Sequence, residues 1–288
     1  MSNSIQQTGR ALAMVLLLAT GLHADTLVLK NGQTISGKSF LREGDVLTVS
    51  AGPAGEPVTA GAGVNLAEIA KVECDRPAAF KSVPLLLASG KSIVALENVQ
   101  AALKSAEVFG QLPGSHWPDL FVLQAHILLA MGKDDEAVKL ASAMEKTKLP
   151  DLVQDAQALR ALIAARKGDH GTATSLLDAL GRDSSRPSIV AAASVARGLG
   201  HLEKKRFEEA LKSFLELPVF LPDETAFSAM ARLGAAQAYQ GLEDADRAIA
   251  ALEDLIKTQP GTPEISIAKS LLPEWKRRRS VVLEAKEP

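Results

Sequence analysis

One cysteine, Cys74, and one tyrosine, Tyr239, stand in the whole 288-residue chain. A lone cysteine excludes an internal disulfide framework. Aromatic residues make up 4% of the sequence, too few for a platform on which single-stranded nucleic acid stacks. An excess of either charge is also missing. The 32 Lys and Arg face 34 Asp and Glu, a net of −2, so nothing advertises a nucleic-acid partner. The apolar run Ala11–Leu22 holds 12 residues, short of the roughly 20 that a spanning helix needs.

That run has a different meaning. Ten mostly polar residues with one Arg precede it, and Leu22-His23-Ala24 ends it on a small residue before Asp25. The pattern predicts a secretory signal peptide over residues 1–24, cleaved to leave a chain with no stable membrane span. No cysteine stands at the end of the run to accept a lipid. Export without disulfides points to a bacterial envelope, periplasmic or secreted.

Composition then divides the mature chain. Residues 25–75 are rich in Gly, Val and Thr, whereas Ala and Leu dominate from Pro84 onward; the expected fold class is therefore α+β. Thr26–Lys30, Gln33–Phe40, Val46–Ser50 and Val64–Glu73 read as strands. Asn31-Gly32 and Glu43-Gly44-Asp45 supply tight turns between them, and residues 51–63 form a loop. Leu29-Lys30-Asn31-Gly32, Ile35-Ser36-Gly37, Val46–Val49 and Ile69–Glu73 together resemble the small SH3-like or Sm-like β-barrels at the front of exported bacterial proteins. That resemblance implies a small β-barrel over 25–75, and at such a size its core needs support from the helical remainder of the chain or from a partner.

Gly32 to Ser39 also spells G-x-x-x-x-G-K-S, the phosphate-binding loop pattern. A phosphate loop requires a helix to start at the Gly-Lys-Ser, so that its N-terminus faces the phosphates. Here Gly44 comes within a few residues and leaves no room for that helix. The expectation is a hairpin and no nucleotide.

After a linker at 76–82, a phrase recurs: Gly132–Ala137, Gly168–Ala173 and Lys205–Ala210 each close on alanine. With Ala102 and Ala248 added, the alanines lie 35, 36, 37 and 38 residues apart. Such a period marks stacked helical hairpins. The pattern resembles the tetratricopeptide repeat, with Tyr239, Ala248, Leu252, Leu255 and Pro260 matching the last copy best. It implies a solenoid of about five repeats over 83–262. Capping helices at 263–288 are expected to break at Pro273.

In that family the concave groove is lined by the first helix of each repeat. By register this implies Asp119, Val122 and His126; Asp155, Ala158 and Leu162; Ala192, Val195 and Leu199; and Met230, Leu233 and Gln237. The Lys and Asn with which some members clamp a terminal carboxylate are missing there. A mostly aliphatic groove suits an amphipathic helix from another protein, a second copy or the chain's own C-terminal segment. The plainer alternative buries these side chains between tightly coiled repeats.

Elsewhere the residues carry no convergent chemistry. His116, His126, His170 and His201 fall in different hairpins or turns, Cys74 has no His near it in sequence, and Lys276–Arg279 suits helix solvation as well as an acidic partner. Trp117 and Trp275 read as packing anchors. The expected function is a non-enzymatic protein-interaction scaffold without metal or cofactor. The alternative is a sensing module whose barrel binds a glycan or peptide.

Overall fold

The computed structural model describes residues 24–52, 63–180, 186–222, 224 and 227–284. The signal-peptide segment before residue 24 and most of the 51–63 loop lie outside them.

The N-terminal module contains β1 (Asp25–Leu29), β2 (Thr34–Gly37), β3 (Ser39–Glu43), β4 (Val46–Ala51), β5 (Val64–Asn65) and β6 (Ile69–Glu73), with one turn of 3₁₀ helix at Leu66–Glu68. The β1–β2 turn uses Gly32 at φ 85°, and Leu29 N–H donates to Gln33 O at 2.8 Å. The residues of the phosphate-loop pattern are therefore a hairpin followed by two strands. Lys38 N–H is spent on Ala51 O at 2.9 Å, so it points into the sheet and not at an anion.

The expected closed barrel is corrected. The strands form two three-stranded antiparallel sheets, β2-β1-β6 and β3-β4-β5. β5 is only two residues long, and the 3₁₀ turn after it carries the chain from one sheet to the other, so the β5 and β6 edges do not pair. Residues from the helical part cover the opening instead. Val72 N–H, on edge strand β6, donates to Pro113 O at 2.7 Å. Gly114 runs so close that a Cβ there would lie 2.1 Å from Val72 O. Phe109 joins the buried cluster of Leu27, Phe40, Leu47 and Ile69, its ring 5.4 Å from that of Phe40, edge to face.

Eleven helices follow among the described residues: α1 (Ala79–Ala88), α2 (Ser92–Ala106), α3 (Trp117–Ala130), α4 (Asp134–Lys146), α5 (Pro150–Arg166), α6 (His170–Leu180), α7 (Pro187–Glu203), α8 (Phe207–Phe220), α9 (Ser228–Gly241), α10 (Ala245–Thr258) and α11 (Pro263–Glu284). They stack as successive hairpins. The first helices α1, α3, α5, α7 and α9 also touch in series, which is the packing of a solenoid. α1 begins at Ala79, inside the expected linker, and Val83 is fully buried.

The hairpin register explains the recurring phrase. Ala137, Ala173, Ala210 and Ala248 are each the fourth residue of the second helix of a hairpin, and each is buried. The backbones cross closely there, and a larger side chain would wedge them apart. In the first hairpin this place belongs to Ala95, which is completely buried, and not to Ala102, which is half-buried. The true first interval is 42 residues, because residues 107–116 are inserted after α2 to cover the strands. The residue before each second helix's cap takes positive φ: Gly90, Gly132 and Gly168 at 72°, 69° and 82°, then Lys205 and Glu243 at 55° and 61°. Phe214 locks α8 in place, filling the room left by Gly198 on α7 and Gly234 on α9, where a Cβ would meet its ring at 2.5 and 2.3 Å.

The C-terminal helix is also corrected, since α11 runs unbroken through Pro273. Pro273 and Lys269, whose carbonyl the proline leaves without its helical donor, are both exposed, so water can satisfy that oxygen. The basic run is taken up locally. Lys276 pairs with Glu253 and Arg279 with Asp246, both at 2.6 Å, and Arg278 pairs with Glu274. No helix among the described residues is long and apolar enough to cross a membrane.

Candidate interaction cleft

The coil is tight enough for its end to meet its beginning. A Cβ on Gly90, between α1 and α2, would lie 3.2 Å from Pro260 O after α10, and one on Gly132 would lie 2.8 Å from Pro263 Cγ. Arg166 at the end of α5 reaches Asp134 at 2.9 Å and the buried Glu264 at 3.7 Å. Burial raises the Glu264 carboxyl above its ordinary range, with Arg166 among the groups opposing it.

This closure fills the interior. Asp155, Ala158, Leu162, Ala192, Val195, Met230 and Leu233 are all buried, between 0% and 7% exposed. An open groove lined by these residues is thus corrected. They are the shared core of α5, α7 and α9, because the inner helices pack on one another instead of around a channel. Leu199 and Gln237 are half-buried, away from the remaining opening.

At the N-terminal mouth of the coil Asp119, Val122 and His126 do converge. They line a cleft of about 480 Å³ with Arg76, Phe80, Val83, Pro84, Leu87 and Leu123, with Arg186, Pro187 and Ser188 at the start of α7, and with Glu224. The Arg76 guanidinium lies over the Phe80 ring, 4.7 Å from its centre. Pro187 opens α7 and holds Arg186 extended at φ −82°, ψ 118°, which turns its guanidinium onto α5. There it pairs with Asp155 and, at 3.4 Å, with Asp151. Ser188 Oγ–H donates to Asp155 Oδ1 at 2.9 Å. Burial pushes the Asp155 carboxyl up to about 6 in spite of Arg186 and Ser188, which favour its ionised form.

His126 closes the floor. Its ring stands edge-on to Phe227, and desolvation lowers its pKa to about 4. The imidazole there is neutral at pH 7 and offers packing, not charge. The cleft is therefore an apolar trough between α1 and α3, with guanidinium and carboxylate groups on its rim.

Sequence reasoning does not find Arg76, Phe80, Arg186 or Ser188. The first two fall in the supposed linker, and the others precede or open a helix instead of recurring within it. Helical periodicity would have extended α1 back to Ala79. Nothing in the sequence pairs Arg186 with Asp155. His170 and His201, assigned to separate hairpins, come together across the space between α6 and α7. Cys74 is half-buried, its Sγ 3.8 Å from Gly114 O, and burial raises its thiol pKa. Trp275 is buried against α9 and α10, and Trp117 packs on Phe121 with ring centres 4.5 Å apart.

Compared with known proteins, the chain matches no protein-family model, and no curated protein matches it.

Proposed function

We propose that the chain is a non-enzymatic scaffold of the bacterial envelope, built on tetratricopeptide-type hairpins, which captures a partner protein through the cleft at its N-terminal mouth. The observation that carries this reading is the trough itself: Pro84, Leu87, Val122 and Leu123 form apolar walls beneath Arg76, Arg186 and Asp119. Apolar walls with a few oriented polar groups are the usual make-up of a recognition site. At about 480 Å³ the space suits a short segment's anchoring side chains, not a whole helix laid along a groove. The ligand class is an extended or turn-like peptide with an aliphatic anchor and a flanking charge.

Export fits the same reading. β1 begins at Asp25, so a cut after Ala24 leaves every described strand intact. The repeat register supports the tetratricopeptide assignment through the buried alanine at the fourth place of each second helix.

The test is quantitative capture from envelope extract by the chain starting at Asp25, compared with its Val122→Glu and Asp119→Lys variants. A partner retained by the parent and lost by both variants, with helical circular dichroism intact, supports the cleft. Equal capture by all three removes it.

A further inference from the structure

The stacking rule is broken at one place. α2 lies along α3, α4 along α5, α8 along α9 and α10 along α11, but α6 stands off from α7. Ala173 is the only buried residue of α6. The gap is a groove of about 430 Å³. Ala173, Leu177 and Leu180 form its α6 wall, and Ile189, Val190 and Ala193 its α7 floor. From Ile189 to Lys204 the floor runs about 22 Å at 1.5 Å per residue. At its far end His201 and Lys204 line it with no acidic partner among the described residues, next to Glu203, which pairs with His170 at 3.5 Å, and Asp178 lies on the α6 wall.

Beside the groove, α8 carries an exposed apolar ridge. Leu215, Val219 and Phe220 are 36%, 64% and 75% exposed. Ser194 on α7 donates to Glu216 on α8, and these helices are antiparallel. One turn further along both, Phe220 therefore stands level with Val190. Ridge and groove lie side by side on one face. On the solvent side of α8, Glu208, Lys212, Leu215 and Val219 share a stripe, spaced four, three and four residues apart, so its charged half carries one acid and one base and its C-terminal half is apolar.

We propose that this outer face pairs with the same face of a second copy, α8 of each subunit lying in the α6–α7 groove of the other. A two-fold contact requires a self-complementary patch, and this one is complementary twice. The apolar C-terminal half of α8 matches the apolar end of the groove. With the two-fold axis along the helices the incoming α8 runs antiparallel to α7, as its own α8 does, and Glu208 arrives at His201 and Lys204.

The experiment is the mass in solution, by sedimentation or light scattering, of the chain starting at Asp25, up to about 100 μM, a range that reports interfaces weaker than most stable dimers. A dimer is expected, with Phe220→Glu and Leu177→Glu each monomeric and unchanged in helical circular dichroism. Mixing those two variants restores a fraction of dimer, because one intact ridge then meets one intact groove. Lys204→Glu, at an exposed position that does not endanger the fold, weakens the dimer several-fold, and adding Glu208→Lys in the same chain recovers it. A parent that stays monomeric throughout overturns the proposal. So does a dimer indifferent to Phe220→Glu and to the charge swap. If Phe220→Glu abolishes only the capture of a foreign protein by a monomeric parent, the face serves a different partner and self-pairing is refuted.

Discussion

The ring of Phe227, at the entry to α9, stands edge-on to the ring of His126 in α3, with centroids 4.9 Å apart and planes at 72°. Two residues far apart in sequence thus close the interior of the coil. The contact puts the start of one inner helix where a partner would lie in an open solenoid, and leaves only the mouth accessible.

That contact makes stability depend on pH in a signed way. The folded His126 holds its pKa near 4 against an ordinary 6.5, so it stays neutral while the unfolded chain takes up a proton. Its contribution is complete above about 6.5 and is lost as pH falls towards 4. The ring is only half-buried, so the expected loss is discounted to on the order of 2 kcal/mol. His126→Leu should flatten the fall in melting temperature over that window. An equally steep fall in the variant would place the acid sensitivity elsewhere.

Asp155 acts with the opposite sign. Its folded pKa is raised from 3.8 to about 6, so the fold takes up this proton before the unfolded chain does, and the group's contribution rises as pH drops from above 6 towards 3.8. Ionised, it holds Arg186; protonated, it loosens that pair and keeps Ser188. Asp155→Asn should remove this acid-side gain, leaving the His126 loss unopposed and the melting curve steeper below pH 6. Melts from pH 7 to 4.5 decide it, and a curve unchanged from the parent would mean that Asp155 titrates normally.

Much of this architecture is legible in the sequence because short-range periodicity reports it. The alanine at the fourth place of each second helix reflects close backbone crossing, and periodicity alone finds it in every hairpin but the first. There a regular 35-residue interval points to Ala102 instead of Ala95, since the insertion that stretches the interval to 42 serves the strands, not the repeat. The strands themselves are readable from turn residues, but barrel closure is not. Closure depends on whether β5 is long enough to pair with β6, and on Phe109 arriving from another module. The groove fails for a related reason: register says which residues face inward, whereas superhelical pitch decides whether inward means solvent or core. Pitch is set here by Gly90 against Pro260 and Gly132 against Pro263, contacts that no local pattern announces.

The crossing alanines give a direct check on the register. Ala210 and Ala248 are fully buried, and leucine at either must push two helices apart at a cost on the order of 1–3 kcal/mol. Thermal melts of Ala210→Leu and Ala248→Leu should both fall below the parent. Leucine at Ala102, half-buried near the end of α2, should be tolerated with a change of roughly 0.5 kcal/mol or less. Destabilisation by Ala102→Leu equal to that of Ala248→Leu would restore the 35-residue register.

Phe214 offers the sharpest test of how the later hairpins are joined. It is 1% exposed, and its ring occupies the room that Gly198 on α7 and Gly234 on α9 leave by lacking a Cβ. The three residues belong to three helices, so the fit works as one unit. Phe214→Ala should cost about 3–5 kcal/mol by emptying the slot. Gly234→Ala should destabilise in the opposite way, since its new Cβ would stand 2.3 Å from the ring and the ring is hemmed in on both sides, a typical overpacking loss of about 1–3 kcal/mol. Because each change relieves the other, the double variant Phe214→Ala with Gly234→Ala should lose less stability than the two single losses added together, and a double-mutant cycle measures the difference. Additive losses within about 0.3 kcal/mol would mean that ring and glycine do not share a slot. The helical stacking between α7 and α9 would then rest on the surrounding aliphatic contacts alone.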